Sequence, residues 1–341
     1  MTKKTAVHGV LLINLGTPDS CSVGDVRRYL REFLMDRRVI DIPWLNRFFL
    51  INFIIAPFRA PESAKAYRKL WEERGSPLKF YGHDVKDLLQ KALGDDYHVA
   101  FGMRYQNPGI RAALQEFRGR GITDITVIPL YPQYASASTG STIEKVMGEI
   151  KGWEILPHVR FVSRFCDHPL FIKAFADIGR KYMAQHPYDH FVFSYHGLPE
   201  RQILKGSVGN YCKLSTCCNS YHARNEYCYR AQSFLTSRLL AKELHIPEDK
   251  YTVSFQSRLG KNPWVRPYTD EKIDELIAAG TRKVLVFSPS FVADCLETTV
   301  EIGMEYKHAF LQKGGERWDL VESLNIHPGW IDCLVSLVRE S

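Results

Sequence analysis

Seven short apolar runs punctuate the chain, each ending at a Gly- or Pro-bearing loop and followed by a helical pattern: GVLLINLGTP, HVAFGMRY, ITVIPLYPQY, VRFVSRF, FVFSYHGLP, YTVSFQSRLG and KVLVFSPSF. A continuous apolar run of strand length has no wet face, so it belongs in a sheet covered on both sides. Alternation with helices makes that sheet parallel and the fold class α/β. Seven such strands in 341 residues fit two smaller, similar doubly wound, Rossmann-like sheets better than one. The first set is expected to end near Tyr134 and the second to begin near Val159, with Ser141 to Lys151 a helix between them. Ligands of doubly wound sheets sit beyond the C-terminal ends of the strands. The loops holding Asn14, Tyr131, His196, Gln256 and Phe291 are therefore expected to converge on a cleft. Neither GxGxxG nor Walker A is present, so a nucleotide enzyme has no direct support.

The predicted organisation is an N-terminal α/β domain over 1–155 with an apolar lip at 43–61, a C-terminal α/β domain over 156–320 with a Cys-rich insertion at 203–229, and a segment 321–341 packing back on the first domain. Hydrophobic residues at 45% and charged residues at 24% suit an ordinary folded chain. The net charge of +7 is spread without a long basic block, which suits an anionic small molecule or membrane surface and gives no nucleic-acid signal. At the N-terminus the apolar stretch Val10 to Leu15 runs straight into Gly16-Thr17-Pro18, a strand and its loop and not a secretory signal. FFLINFIIAPF, Phe48 to Phe58, falls well short of the roughly 20 residues that span a bilayer. The expected location is cytoplasmic, with peripheral contact at the inner face of the membrane.

Three constellations carry chemistry. Ser194-Tyr195-His196-Gly197-Leu198-Pro199 puts a histidine on a tight loop after a strand, where imidazole can take a proton or bind a divalent metal. Asp294-Cys295-Leu296-Glu297-Thr298-Thr299 opens a helix on which Glu297, Glu301 and Glu305, four apart, are expected to share one face. Cys212, Cys217, Cys218 and Cys228 form C-x4-C-C-x9-C, and four thiolates can hold a [2Fe–2S] cluster or a tetrahedral Zn²⁺, or remain free. Leu15, Tyr131 and Trp264 with nearby Arg would suit a large flat apolar ligand bearing carboxylates. Cys21, Cys166, Cys295 and Cys333 read as ordinary buried residues.

Taken together, NLGTP, APFRAP…AYRKLW…RGSPL, GMRY, PLYPQY…STGS, SYHGLP, FQSR…PW…PYTD and DCLET, in this order from Asn14 to the SLN at 323–325, resemble the ferrochelatase family. The resemblance implies two similar doubly wound domains with the porphyrin between them. It also implies a lyase that inserts Fe²⁺ into protoporphyrin IX to give protohaem, the terminal step of haem biosynthesis. By matching motifs, His196 is the active-site histidine and Glu297 its acidic partner, both ligands of the incoming Fe²⁺. Arg59, Tyr67 and Ser76 match positions that hold the porphyrin, and Leu15, Arg104, Tyr131 and Trp264 line its pocket. Some relatives carry Asp-His where this chain has Asp294-Cys295.

The run Trp44 to Phe58 falls where members have a hydrophobic lip, which implies shallow membrane contact. Animal members place one cluster cysteine where this chain has Ser136, whereas a bacterial subset carries its cysteines in an internal segment like this insertion, implying a [2Fe–2S] cofactor. Two other readings stand beside this one: a chelatase for coproporphyrin III or another metal such as Co²⁺, and a non-catalytic haem-binding protein or Fe–S sensor. Retention of both His196 and Glu297 argues against the last.

Overall fold

Runs rich in β-branched and aromatic residues, without the 3.6-residue period of a helix face, become strands. In the computed structural model, which describes residues 7–258, 260 and 262–340, they form two parallel four-stranded sheets. The first contains β1 (His8–Gly16), β2 (Tyr97–Tyr105), β3 (Asp124–Pro129) and β4 (His158–Phe161) in the order β2-β1-β3-β4. The second contains β5 (His190–His196), β6 (Tyr251–Gln256), β7 (Lys283–Phe287) and β8 (Arg317–Leu320), and repeats that order as β6-β5-β7-β8. In each, the chain crosses first to one side of the opening strand and then to the other, as in a doubly wound fold. Central strands are the driest: Val10 to Ile13 of β1 and Val284 to Phe287 of β7 are all 0% exposed.

Two strands depart from the sequence reading. The run near Val159 does not open the second sheet; as β4 it pairs with β3 from Asp124↔His158 to Val127↔Phe161 and closes the first. β8 was not foreseen, because Arg-Trp-Asp-Leu alternates charged with apolar residues and only Trp318 is fully buried. By contacts the chain forms two compact units. One holds the residues up to Tyr131, Ser136–Ser163 and those from Ile331 on; the other holds Pro132–Ala135 and Arg164–Trp330.

Within the first unit, Gly16 ends β1 at φ +123°, and a Cβ there would stand 2.1 Å from the Tyr105 carbonyl oxygen, which accounts for the glycine of NLGTP. The helix Trp44–Phe49, a π-helical turn Leu50–Ile55 and the helix Ala56–Leu70 follow one another without a break. This segment leaves Trp44, Leu45, Phe49, Phe53, Ile54 and Phe58 between 56% and 76% exposed, while Ile51 and Ala56 are buried. No helix among the described residues is long and apolar enough to cross a membrane.

Candidate active site

The order β6-β5-β7-β8 puts the switch point of the second sheet between β5 and β7, and that is where a doubly wound sheet offers a crevice. His196 is the last residue of β5. The strand end beneath it is fixed by buried side chains: Ser194 hydroxyl donates to Gln256, and the Tyr195 and Ser237 hydroxyls are 2.9 Å apart. His196 Nδ1 lies 2.6 Å from the Gly197 carbonyl oxygen. A carbonyl only accepts, so Nδ1 carries a hydrogen and Nε2 is the nitrogen left to exchange a proton or meet a metal.

Gly197 amide donates to the Gln256 carbonyl at 2.8 Å, and a Cβ on Gly197 would sit 2.7 Å from that oxygen and 3.1 Å from the Trp264 ring. SYHGLP needs its glycine for that close approach. The Trp264 loop is then stitched to the histidine loop, Val265 amide to Leu198 carbonyl at 2.9 Å and Glu200 amide to Pro263 carbonyl at 3.1 Å. The indole centroid stands 6.5 Å from the imidazole centroid.

After β7 the chain enters an eleven-residue π-helix, Leu296–Tyr306, started by Cys295 and Thr298, whose hydroxyl accepts from the Cys295 amide at 2.9 Å. The Cys295 thiol is held neutral by burial. Asp294 is committed elsewhere: its carboxylate accepts from the Ser323 amide at 3.1 Å and the Asn325 side chain at 2.8 Å, which gives the SLN segment a role that was not apparent from its residues.

A π-helix bonds residue i to i+5 and turns once in a little over four residues, so side chains four apart still lie near one face. Along the expected glutamate stripe exposure rises towards the end of the helix, with Glu297 and Glu301 half-buried and Glu305 exposed. Glu301 accepts from the Ser257 amide at 2.9 Å and from the Ser257 hydroxyl, with Tyr306 hydroxyl at 3.4 Å. Ser257 reaches it from a positive φ of 64°. Burial lifts the Glu301 carboxyl above the ordinary range; Ser257 and the His196 charge oppose the lift and Glu297 adds to it. His196, Glu297 and Glu301 thus form one electrostatic set. Glu301 was visible in the sequence only as part of a stripe.

The first unit holds the remaining residues. Ser76 is buried and accepts from the Thr17 hydroxyl at 2.9 Å, which brings RGSPL to the end of NLGTP beside half-buried Leu15. Tyr67 and Tyr131 are buried, and Arg59 is exposed. Arg104 directs its guanidinium to Asp36 and to Ser141 Oγ at 2.7 Å. Asp36 also accepts from the Tyr105 hydroxyl at 2.9 Å. Burial raises the Asp36 carboxyl, but Ser141, the Arg38 amide, the Arg104 charge and Tyr105 outweigh it, leaving the group below its usual value.

In the insertion, Asn225 organises the loop by donating to the Cys217 and Ser220 carbonyls at 2.9 and 2.8 Å. The Cys212 and Cys217 sulfurs accept from the Leu214 and Lys213 amides at 3.4 and 3.3 Å, and burial pushes the Cys212 thiol up, with Cys217 adding to the shift. Cys218 and Cys228 perturb each other, Cys218 being pushed up and Cys228 drawn below the ordinary thiol value. Among the described residues, no three His, Cys, Asp or Glu side chains are grouped to hold a single metal ion.

A ferrochelatase family model matches residues 7–341. The proteins named ferrochelatase from Legionella pneumophila (strain Lens) and Coxiella burnetii (strain Dugway 5J108-111) are 46% and 42% identical over 333 and 338 residues, which is 98% of this chain in both cases and 99% and 93% of theirs. SirB from Bacillus subtilis with Fe³⁺ shares the fold at TM-score 0.55 and 12% identity, over 98% of this chain and 95% of that one. Full-length relatives this similar and a family model spanning both sheets agree with the motif order from NLGTP to DCLET, and the chain belongs to the ferrochelatase family.

Proposed function

We propose that this chain inserts Fe²⁺ into protoporphyrin IX, yielding protohaem and two protons. As a ferrochelatase family member it is a metal-inserting lyase. Two pyrrole N–H bonds must break, with their electron pairs staying on nitrogen to bind Fe²⁺ and two protons leaving. The observation that carries the reading is the set formed by His196, Glu297 and Glu301 at the switch point of the second sheet. His196 Nε2 presents the lone pair that takes a pyrrole proton or meets the metal, because Nδ1 is spent on Gly197. One imidazole holds only one added proton. Glu301, biased towards its protonated form, is the second acceptor, and Glu297 contributes negative charge for Fe²⁺.

Trp264 offers an aromatic face beside His196 for the macrocycle. Leu15, Arg59, Tyr67, Ser76, Arg104 and Tyr131 are the other porphyrin contacts in this reading. A planar porphyrin hides its nitrogen lone pairs, so a pocket shaped to a bent ring favours the transition state over the substrate. Anaerobic assay with Fe²⁺ and protoporphyrin IX, alongside coproporphyrin III and Co²⁺, tests the assignment. Protohaem formation fastest with the first pair supports it, and no turnover with any pair overturns it.

The exposed apolar segment from Trp44 to Phe58 is the membrane lip of a cytoplasmic enzyme peripheral to the inner face. Co-sedimentation with anionic vesicles, lost on Phe53→Ser with Phe58→Ser, is the expected result.

The insertion takes a [2Fe–2S] cluster on Cys212, Cys217, Cys218 and Cys228. Two thiol pairs suit two irons with two thiolates each, although they would not surround one ion. Bound there, the cluster supplies a crosslink for the insertion. Protein purified without oxygen is expected to be reddish-brown with about two irons and two sulfides per chain. One zinc and no sulfide would favour Zn²⁺ instead.

A further inference from the structure

β5 pairs three residues further along with β6 than with β7: its pairing with β6 reaches His196↔Gln256, whereas that with β7 stops at Phe193↔Phe287. The β7-facing peptide groups of His196 are thus past the end of the ladder and need other partners. The amide finds Ser290 Oγ at 3.4 Å, and the carbonyl accepts from the Tyr229 hydroxyl at 2.8 Å. Tyr229 is buried and opens the helix Tyr229–Glu243, capped by Cys228 of the insertion.

The next residue reaches in two other directions. Arg230 donates from Nε to the Arg266 carbonyl at 3.1 Å and from one terminal nitrogen to the Ser215 carbonyl at 3.0 Å. Ser215 lies between Cys212 and Cys217, and Arg266 lies two residues past Trp264. A guanidinium is a rigid planar fork, so the two carbonyls are held at a set separation.

We propose that Tyr229 and Arg230 are positioning residues through which the cysteine insertion sets the placement of His196 and Trp264. The inference rests on the reading of His196 as the group that meets the pyrrole proton or the metal. Tyr229 holds the histidine peptide, Arg230 holds the tryptophan loop, and Cys228 precedes both on the same first turn. A shift in the insertion is therefore passed to both sides of the candidate site together. Each link is made to a backbone carbonyl, so it depends on the geometry of the loops more than on the identity of their side chains.

Tyr229→Phe removes one hydroxyl and leaves the ring packing. The expected result is kcat lowered about three- to tenfold, the size of one net hydrogen bond, with KM for porphyrin unchanged. Deuterium exchange should quicken in peptides covering 196–200. Arg230→Ala should quicken exchange in 212–218 and 264–267 together, and Arg230→Lys should restore it only in part. Cys228→Ser should quicken 196–200 in the wild type but add little in the Tyr229→Phe background. Wild-type kcat and exchange in Tyr229→Phe would overturn the proposal, as would exchange that quickens uniformly across 164–330, the mark of a merely structural contact. A wild-type chain that inserts no Fe²⁺ would overturn the functional reading alone, since the exchange results stand without turnover.

Discussion

In the proposed mechanism His196, a residue of modest intrinsic reactivity, is prepared for one task. Its Nδ1 hydrogen is spent on the next carbonyl at 2.6 Å, its own carbonyl is held by Tyr229, and Nε2 is left as the acceptor. His196→Ala is expected to lower kcat by about 10²- to 10⁴-fold, the usual range for a positioned proton-transfer group. Porphyrin affinity by fluorescence titration should stay near wild type, and normal turnover would remove the residue from the mechanism.

Glu301 makes a second prediction with a definite sign. Its folded pKa is raised, with burial the largest cause, so the wild type has this contribution in full below the unfolded value of about 4.3 and loses it as pH rises through the folded value. Gln cannot ionise. Glu301→Gln should therefore gain melting temperature relative to wild type as pH rises from about 4.5, while losing turnover. A constant offset at all pH values would mean that Glu301 is not strained towards protonation.

At the level of elements, the two units use the same device with different cargo. In each, the third strand is followed by a short loop and a π-helix, Ser136–Gly140 after β3 and Leu296–Tyr306 after β7. Only the second is acidic, and the His196 charge acts on its Glu301. Such a helix is invisible to pattern reading, because Glu297, Glu301 and Glu305 are spaced as on an α-helix and nothing in that spacing reports the i→i+5 bonding. Strands were legible where burial on both faces leaves an unbroken apolar run, and illegible where one face is polar, as in β8. The grouping of β4 was misread because sheet membership is decided by which edge a strand reaches, not by its composition. SYHGLP and DCLET stand out in the sequence as candidate sites, but Tyr229, Arg230 and Ser257 do not, since their parts are played at backbone groups distant in the sequence.

In the first unit, Asp36 joins the loop after the helix Val23–Leu34 to β2 and to the helix Ser141–Ile150 through Arg104, Tyr105 and Ser141. The Arg104 and Asp36 side chains are only 15% and 6% exposed, so breaking the pair leaves a buried guanidinium uncompensated. Asp36→Asn should cost roughly 3–5 kcal/mol at neutral pH. Because the Asp36 carboxyl is depressed, its contribution is present above an unfolded value of about 3.9 and fades as pH falls through the folded one. Denaturant melts should therefore converge for the two proteins in acid, and a gap that persists there would assign the loss to shape and not to charge.

On the scale of the whole molecule, the first unit is discontinuous: the chain leaves it after Ser163 and returns at Ile331. What it returns with is apolar, since Ile331, Cys333, Leu334, Leu337 and Val338 of the helix Pro328–Arg339 are all buried. The end of that helix is tied to β4, whose Arg160 donates to the Leu337 and Val338 carbonyls at 2.7 and 3.0 Å. Four aliphatic side chains at about 1.5–3 kcal/mol each amount to as much as a whole domain's typical margin of about 5–15 kcal/mol. Truncation after Trp330 should therefore leave the first unit without a stable core while the second, complete by Trp330, retains its own. Limited proteolysis of the truncated chain is expected to digest 7–131 and 136–163 and spare 164–330. Arg160→Ala removes only the tie at the helix end and should cost about 1–3 kcal/mol with both units still folded. A truncated chain whose first unit resists protease as well as the full chain would show that the returning helix covers that core without completing it.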